Sequence, residues 1–309
     1  MVVCTRDRPA ILDRCLQAIA RLDHAPTEII VVDSAPRDDA ACHVAERWGA
    51  RYLVEPLPGA SRARNRGAHA AAADVVALLD DEAVPEPGWL PKLLDEFRDP
   101  AVMAVAGRIL GLEVESPAER LFEVMGGFDC GPERRVVDRG SPNWFERASF
   151  GGIGNGGNVA FRRRAFDIWP GYHERLGPGM ELQGGEEHYA FFSLADLGYR
   201  VVYTPFAVVR HPYPHTMEQV RQRYLRELTS STAYMTFLLR EQPRYRRQVL
   251  RYIKDGIKGT PRLWRGVSQV RQPKLVPGWK WTMAALFGPL VYVLSQLRET
   301  RGETQPAQA

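Results

Sequence analysis

The chain has 309 residues, 45% hydrophobic and 25% charged, with a formal net charge of +4. Those proportions belong to a soluble globular protein able to bury a sizeable core, not to a low-complexity chain. The charge is uneven: residues 212–309 carry 17 Lys and Arg against 6 Asp and Glu, and residues 1–211 carry 24 against 31. An acidic body argues against nucleic acid as the partner, while a basic tail suits anionic partners such as lipid headgroups.

Val2-Val3-Cys4 reads as an opening strand. Pro9 then starts a helix with Ile11, Leu12, Cys15, Leu16, Ile19 and Leu22 at helical spacing. Ile29-Ile30-Val31-Val32 is a continuous apolar run, as in parallel strands covered on both faces. Residues 38–48 form a helix stopped by Gly49, residues 51–54 a strand, residues 61–73 an Ala- and Arg-rich helix, and residues 75–79 a strand. This alternation predicts an α/β fold with a mostly parallel sheet flanked by helices and right-handed crossovers.

After Pro85 and Pro87, residues 89–97 read as a helix and residues 102–109 as a strand, whereas residues 112–150 carry no clear period. Residues 158–161 and 201–203 are short strands, and residues 186–197 a helix ended by Gly198. Beyond Pro214 come Arg-rich helices over 216–240 and 245–257, then a frayed end after Arg298. The expected organisation is a catalytic body over 1–211, with halves of about 1–110 and 111–211, and a basic helical extension over 212–309.

The triplet Asp80-Asp81-Glu82 ends the 75–79 strand abruptly. Open α/β sheets bind ligands at that carboxyl edge. Alternation along a strand puts Asp80 and Glu82 on one face and Asp81 on the other. Adjacent carboxylates repel, and a divalent cation relieves the repulsion; oxygen ligands suit Mg²⁺ or Mn²⁺, which also take oxygens from a substrate phosphate. A solvated acidic turn is the plainer reading of the triplet alone.

One crossover earlier lies Gly59-Ala60-Ser61-Arg62-Ala63-Arg64-Asn65-Arg66-Gly67. Ser61 is placed to cap the helix, whose amino end favours an anion. The three arginines alternate too quickly to share a face, so only some reach a phosphate. Gly184-Gly185-Glu186-Glu187-His188 opens another helix with two acids, where the helix dipole favours an ionised base. Residues 152–157 satisfy GxGxxG by letter, but a strand follows them, which counts against a dinucleotide fingerprint and favours a mobile substrate-side loop.

In order, these pieces resemble the family-2 glycosyltransferases with a GT-A fold. The motifs are Val3-Cys4-Thr5-Arg6-Asp7-Arg8-Pro9, the strand ending in Asp33, the Arg-Asn-Gly helix at 61–67, the acidic triplet, Gly157-Asn158-Val159-Ala160-Phe161-Arg162, and Gly184-Gly185-Glu186-Glu187. They span residues 1 to about 211. The resemblance implies inverting transfer from a nucleotide-diphosphate sugar to a glycan or lipid-linked acceptor hydroxyl, in cell-envelope or polysaccharide synthesis. It also implies that Thr5, Arg6, Asp33, Arg62, Asn65, Asp80 and Asp81 line the donor. Glu82 and His211 hold the metal, and Glu187, with Glu186 beside it, is the base. Two letters depart from the pattern, Glu82 and Glu187, where Asp is usual in both places. They keep a second reading open, a non-catalytic sugar-nucleotide-binding protein on the same fold.

Cys4, Cys15, Cys42 and Cys130 show no CxxC spacing and read as free thiols of a reducing compartment. No basic n-region precedes Val2, so a cytoplasmic site is expected, with the native start left open by the strand's position at Met1. Residues 281–297 are uncharged, at the short edge of the roughly 17–25 residues that span a bilayer, and interrupted by Gly288-Pro289. Packed, interfacial and spanning helices are the alternatives, and the basic tail favours an interfacial helix on the inner face of the membrane.

Overall fold

The computed structural model describes residues 1–257 and 275–300. The body begins with β1 (Val2–Thr5), α1 (Pro9–Ala20), β2 (Ile30–Ser34), α2 (Ala40–Arg47), β3 (Arg51–Glu55), α3 (Ala60–Ala70) and β4 (Val75–Asp80). It continues through β5 (Val84–Pro85), α4 (Trp89–Glu96), β6 (Val102–Gly111), α5 (Pro117–Val124), β7 (Arg135–Val137) and α6 (Trp144–Ser149). Then come β8 (Asn158–Arg162), α7 (Ala165–Ile168), α8 (Glu186–Asp196), β9 (Arg200–His211), α9 (Met217–Glu241), α10 (Arg246–Ile257) and α11 (Gly278–Thr300).

One sheet runs in the order β3-β2-β1-β4-β8-β6-β9-β5, with β7 added against β9. Strands β3, β2, β1 and β4 are mutually parallel, and β8 enters antiparallel between β4 and β6. Successive side chains face opposite sides, so the apolar runs feed two cores at once. Val2, Ile30, Val32, Val76 and Leu78 lie on one side; Val3, Val31, Ala77 and Leu79 lie on the other. The second side is covered by α1, α2 and α4 through Leu12, Leu16, Val44, Trp89 and Leu93. The first is covered by α3, α6 and α8, and by Tyr234 and Phe237 of α9, Val249 of α10 and Tyr292 of α11. Thus the C-terminal helices bury side chains in the same core as the sheet.

The unassigned stretch 112–150 contains α5, opened by a capping box between Ser116 and Glu119, then β7 and α6. Helix 61–73 is shorter than its composition suggests, ending at Ala70. Ser61 is not its cap: the cap position is Gly59 at φ +136°, and the buried Ser61 hydroxyl donates to the Leu176 carbonyl at 2.7 Å. Gly288-Pro289 does not break α11 either, which runs through Pro289. A Cβ on Gly288 would lie 2.0 Å from Thr232 Oγ1, so the glycine lets α11 lie close against α9. Among the described residues no helix is long and apolar enough to cross a membrane. The frayed end falls outside the described residues from position 301, as does the span 258–274 of the basic tail.

Candidate active site

Strand β4 stops at Asp80, so strand alternation stops with it, and the three acids turn to different surroundings, with Arg8 shared by Asp81 and Glu82. Asp81 turns back into the body. It accepts the Thr5 hydroxyl at 2.6 Å and pairs with Arg8 at 2.7 Å. Burial lifts its pKa to about 6, against the pull of Arg8 and Thr5. Glu82 faces His211, at the end of β9, with Oε1 3.1 Å from Nε2, and Arg8 reaches its other oxygen at 3.3 Å. The hydrogen bond to His211 holds Glu82 below the usual carboxylate range. Burial works against charge on His211, but the bond to Glu82 and the nearby Asp80 carry its pKa above the ordinary value.

The His211 Nδ1 atom is 2.8 Å from the Pro212 carbonyl, which fixes that nitrogen as a donor. Nε2 then donates to Glu82 while the ring is protonated, and it is the nitrogen whose lone pair a cation would take once that proton is lost. Among the described residues no group of three or more His, Cys, Asp or Glu is placed to hold a metal alone. A Glu–His pair of this kind fits a cation that completes its shell with substrate phosphate oxygens and water.

Asp80 is held from behind. Arg64, from the middle of α3, is buried and donates to Asp80 Oδ1 at 3.1 Å and to Glu186 Oε1 at 2.9 Å. Glu186 is the first residue of α8, after Gly185 at φ +86°. A Cβ at Gly185 would lie 2.6 Å from the Tyr234 ring, so glycine is required there for space as well as for conformation. Burial lifts the Glu186 pKa to about 8, and the adjacent Glu187 carboxyl, in hydrogen-bond contact, adds to the shift. The Oε2 atoms of both glutamates are buried without a partner among the described residues. Their neighbour His188 is pushed down to about 4 by burial.

Asp33, the penultimate residue of β2 two strands from β4, accepts the Tyr52 hydroxyl at 3.0 Å. Its Oδ1 is buried without a partner among the described residues, and burial raises its pKa. Asp7 and Ala35, which follow β1 and β2, both take positive φ (53° and 49°), a local strain of the kind that gathers at functional edges.

The sheet edge therefore brings together Thr5, Asp80, Asp81, Glu82 and His211, with Glu186 tied in through Arg64. Arg62 and Asn65, also expected on the donor, bond the segment opposite. Arg62 pairs with Glu174 at 3.0 Å, and Asn65 exchanges two hydrogen bonds with the Tyr172 backbone at 2.8 and 2.7 Å. Arg6 is half-buried, 3.9 Å from Asp7. Arg8 and Arg64, which lie in the quoted motifs but not among the residues assigned to the donor, supply the cations. Asn158 is structural. It accepts from Trp89 at 2.8 Å and donates to the Arg108 and Ala207 carbonyls, both at 3.0 Å, where the β6–β9 register shifts. Gly157 beside it leaves room for Asp80, whose Oδ2 would lie 2.6 Å from a Cβ there.

The family model described as glycosyl transferase family 2 matches residues 1–169. Over 222 residues the chain is 30% identical to the pre-mycofactocin glycosyltransferase of Mycobacterium tuberculosis, covering 69% of this chain and 42% of that one. It is 25% identical to the glucosyl-dolichyl phosphate glucuronosyltransferase of Haloferax volcanii, covering 68% of each. The chain spans about half the length of several of the curated relatives it matches. Its fold is similar to that of a mannosyltransferase from Pyrobaculum calidifontis solved with GDP-Man and Mn²⁺, with a TM-score of 0.56 and 16% identity over 98% of this chain and 75% of that one.

Proposed function

The chain belongs to glycosyl transferase family 2, and we propose that it moves a sugar, with inversion, from a nucleotide-diphosphate donor to an acceptor hydroxyl. The observation that carries this reading is the meeting of two acidic sites at one sheet edge, Asp80-Asp81-Glu82 and Glu186-Glu187, bridged by one buried arginine. Thr5, Asp33 and Asp80 line the donor side, with the buried Asp81 holding the Thr5 hydroxyl from behind. Glu82 and His211 would hold a divalent cation, Mg²⁺ or Mn²⁺, which supplies Lewis-acid stabilisation of the leaving diphosphate. Glu187 removes the acceptor proton while the hydroxyl attacks the anomeric carbon from the face opposite the diphosphate. Holding both substrates in line supplies much of the rate.

The acceptor is a glycan or lipid-linked hydroxyl near an anionic membrane surface. Trp279, Met283, Leu286, Leu290, Val293 and Leu297 recur every three to four residues along α11 and are all exposed. That outward stripe, in a segment where Lys and Arg outnumber Asp and Glu by 17 to 6, matches an interfacial surface better than open water.

Thermal-shift measurements with a panel of nucleotides and nucleotide sugars, with and without Mn²⁺, test the donor class. A ligand bound to the native state raises apparent stability by mass action. Stabilisation by one nucleoside diphosphate and its sugars, enhanced by Mn²⁺, is the expected result. A flat panel contradicts the reading.

A further inference from the structure

Arg64 occupies an unusual place for a side chain of a basic helix. Its side chain is 7% exposed, against 16% for Arg62 and 46% for Arg66 on the same helix. Burying an arginine is costly unless it is fully engaged. Here two carboxylates from distant parts of the chain engage it, Asp80 at 3.1 Å and Glu186 at 2.9 Å, 16 and 122 residues away in sequence. Its guanidinium carbon also lies 5.6 Å from the centre of the Tyr172 ring. Glycines make the space. A Cβ on Gly156 would come within 3.4 Å of the guanidinium, and one on Gly177 within 3.0 Å of the Glu186 carboxyl.

We propose that Arg64 is a positioning residue for transfer, a single guanidinium that fixes the base-bearing start of α8 against the donor-side carboxylate Asp80. The inference rests on the glycosyl-transfer reading for its kinetic part, and on the geometry alone for its structural part. Asp80 belongs to the strand that presents the acidic triplet, and Glu186 precedes the proposed base by one residue. A displacement at either end is therefore transmitted to the other through one rigid planar fork. Arginine suits this role and lysine does not, because only the fork reaches two carboxylates in fixed directions.

The same link ties the two sides electrostatically. The charged and titratable groups around Glu186 are Arg64 from α3, Asp80 from β4, Glu187 and His188 from α8, Tyr172 from the loop before α8, and Tyr234 from α9. Arg64 is the cation among them and is divided between Asp80 and Glu186. Neutralising Asp80 leaves the guanidinium to Glu186 and favours its ionised form; removing Arg64 favours its protonated form.

The test uses Arg64→Lys, Arg64→Gln, Asp80→Asn and Asp80→Asn/Arg64→Gln in the full chain. With a nucleotide sugar that the wild type turns over, Arg64→Lys is expected to lower kcat by on the order of 10²-fold, with donor KM changed far less, as loss of alignment does. In Arg64→Gln the acid limb of kcat moves to higher pH. Wild-type kcat and pH profile in both variants overturn the proposal. A second readout needs no substrate: the fall in melting temperature between pH 5 and 9. Asp80→Asn flattens it in the Arg64 background and leaves it unchanged in the Arg64→Gln background. Equal effects in the two backgrounds overturn the link. If no nucleotide sugar is turned over by the wild type, the glycosyl-transfer reading fails while this second readout still decides the Arg64 link.

Discussion

Glu82 and His211 face each other across 3.1 Å, although one follows β4 and the other closes β9, two strands further along the sheet than β8. The chain leaving β4 crosses at once to β9, where Val84 and Pro85 of β5 pair with Arg210 and Val209, so a pair 129 residues apart forms one site. Replacing Glu82 by Ala would leave His211 alone to hold the proposed cation, since no group of three or more His, Cys, Asp or Glu among the described residues is placed to hold one. Donor affinity measured with Mn²⁺ is expected to fall by at least about tenfold, while affinity without metal stays within about twofold. Equal affinity of variant and wild type in Mn²⁺ removes the metal role.

Glu187→Gln should leave donor binding nearly intact and lower transfer by on the order of 10²-fold or more, as loss of a general base does. Glu186→Gln is the control on the same helix turn. An active Glu187→Gln beside a dead Glu186→Gln reverses the assignment.

Glu186 makes a pH prediction for stability. Its folded pKa of about 8 lies above its unfolded value, so the native state binds more protons between the two, and stability falls as pH rises from about 4.5 to 8. Glutamine cannot ionise. The melting temperature of Glu186→Gln relative to wild type is therefore expected to rise steadily across that window. A difference that is constant or declining with pH contradicts the burial argument.

Gly288 carries a packing prediction. A methyl there would meet Thr232 Oγ1 at 2.0 Å and the Thr229 carbonyl at 2.5 Å, both on α9. Gly288→Ala gains helix propensity but forces α11 off α9, at a cost of about 1–3 kcal/mol in chemical denaturation. Unchanged or increased stability shows that the two helices do not lie as close as described.

The outward stripe of α11 predicts co-sedimentation with anionic vesicles at low salt, weakened by high salt or neutral lipid. Replacing Leu286 and Leu290 by Ser should reduce binding without altering turnover of a soluble acceptor. Failure to sediment with anionic vesicles at low salt removes the surface assignment.

Much of this architecture is legible in the sequence because its strands are buried on both faces. The runs at 29–32 and 75–79 could only be interior strands, and the acids that end them had to lie at the sheet edge. The residues that organise that edge are harder to read. Arg64 is one of three alternating arginines, and only the contact with Glu186, 122 residues away, singles it out. Ser61 has the right letter for a helix cap, but the chain enters α3 one residue earlier, and its hydroxyl is recruited by Leu176. The short strands β5 and β7 owe their form to pairing with β9 and have no period of their own. Pro289 lies inside a continuous helix, and Gly288 beside it allows the close contact with α9.

Inverting sugar transfer is tested most directly by incubating the protein with Mn²⁺, a stabilising nucleotide sugar and a lipid-linked or glycan acceptor, and following the anomeric proton by NMR. Release of nucleoside diphosphate and a new glycoside whose anomeric configuration is opposite to that of the donor is the expected result. Tight donor binding with no transfer in any acceptor tested, or a product that retains the donor configuration, contradicts it.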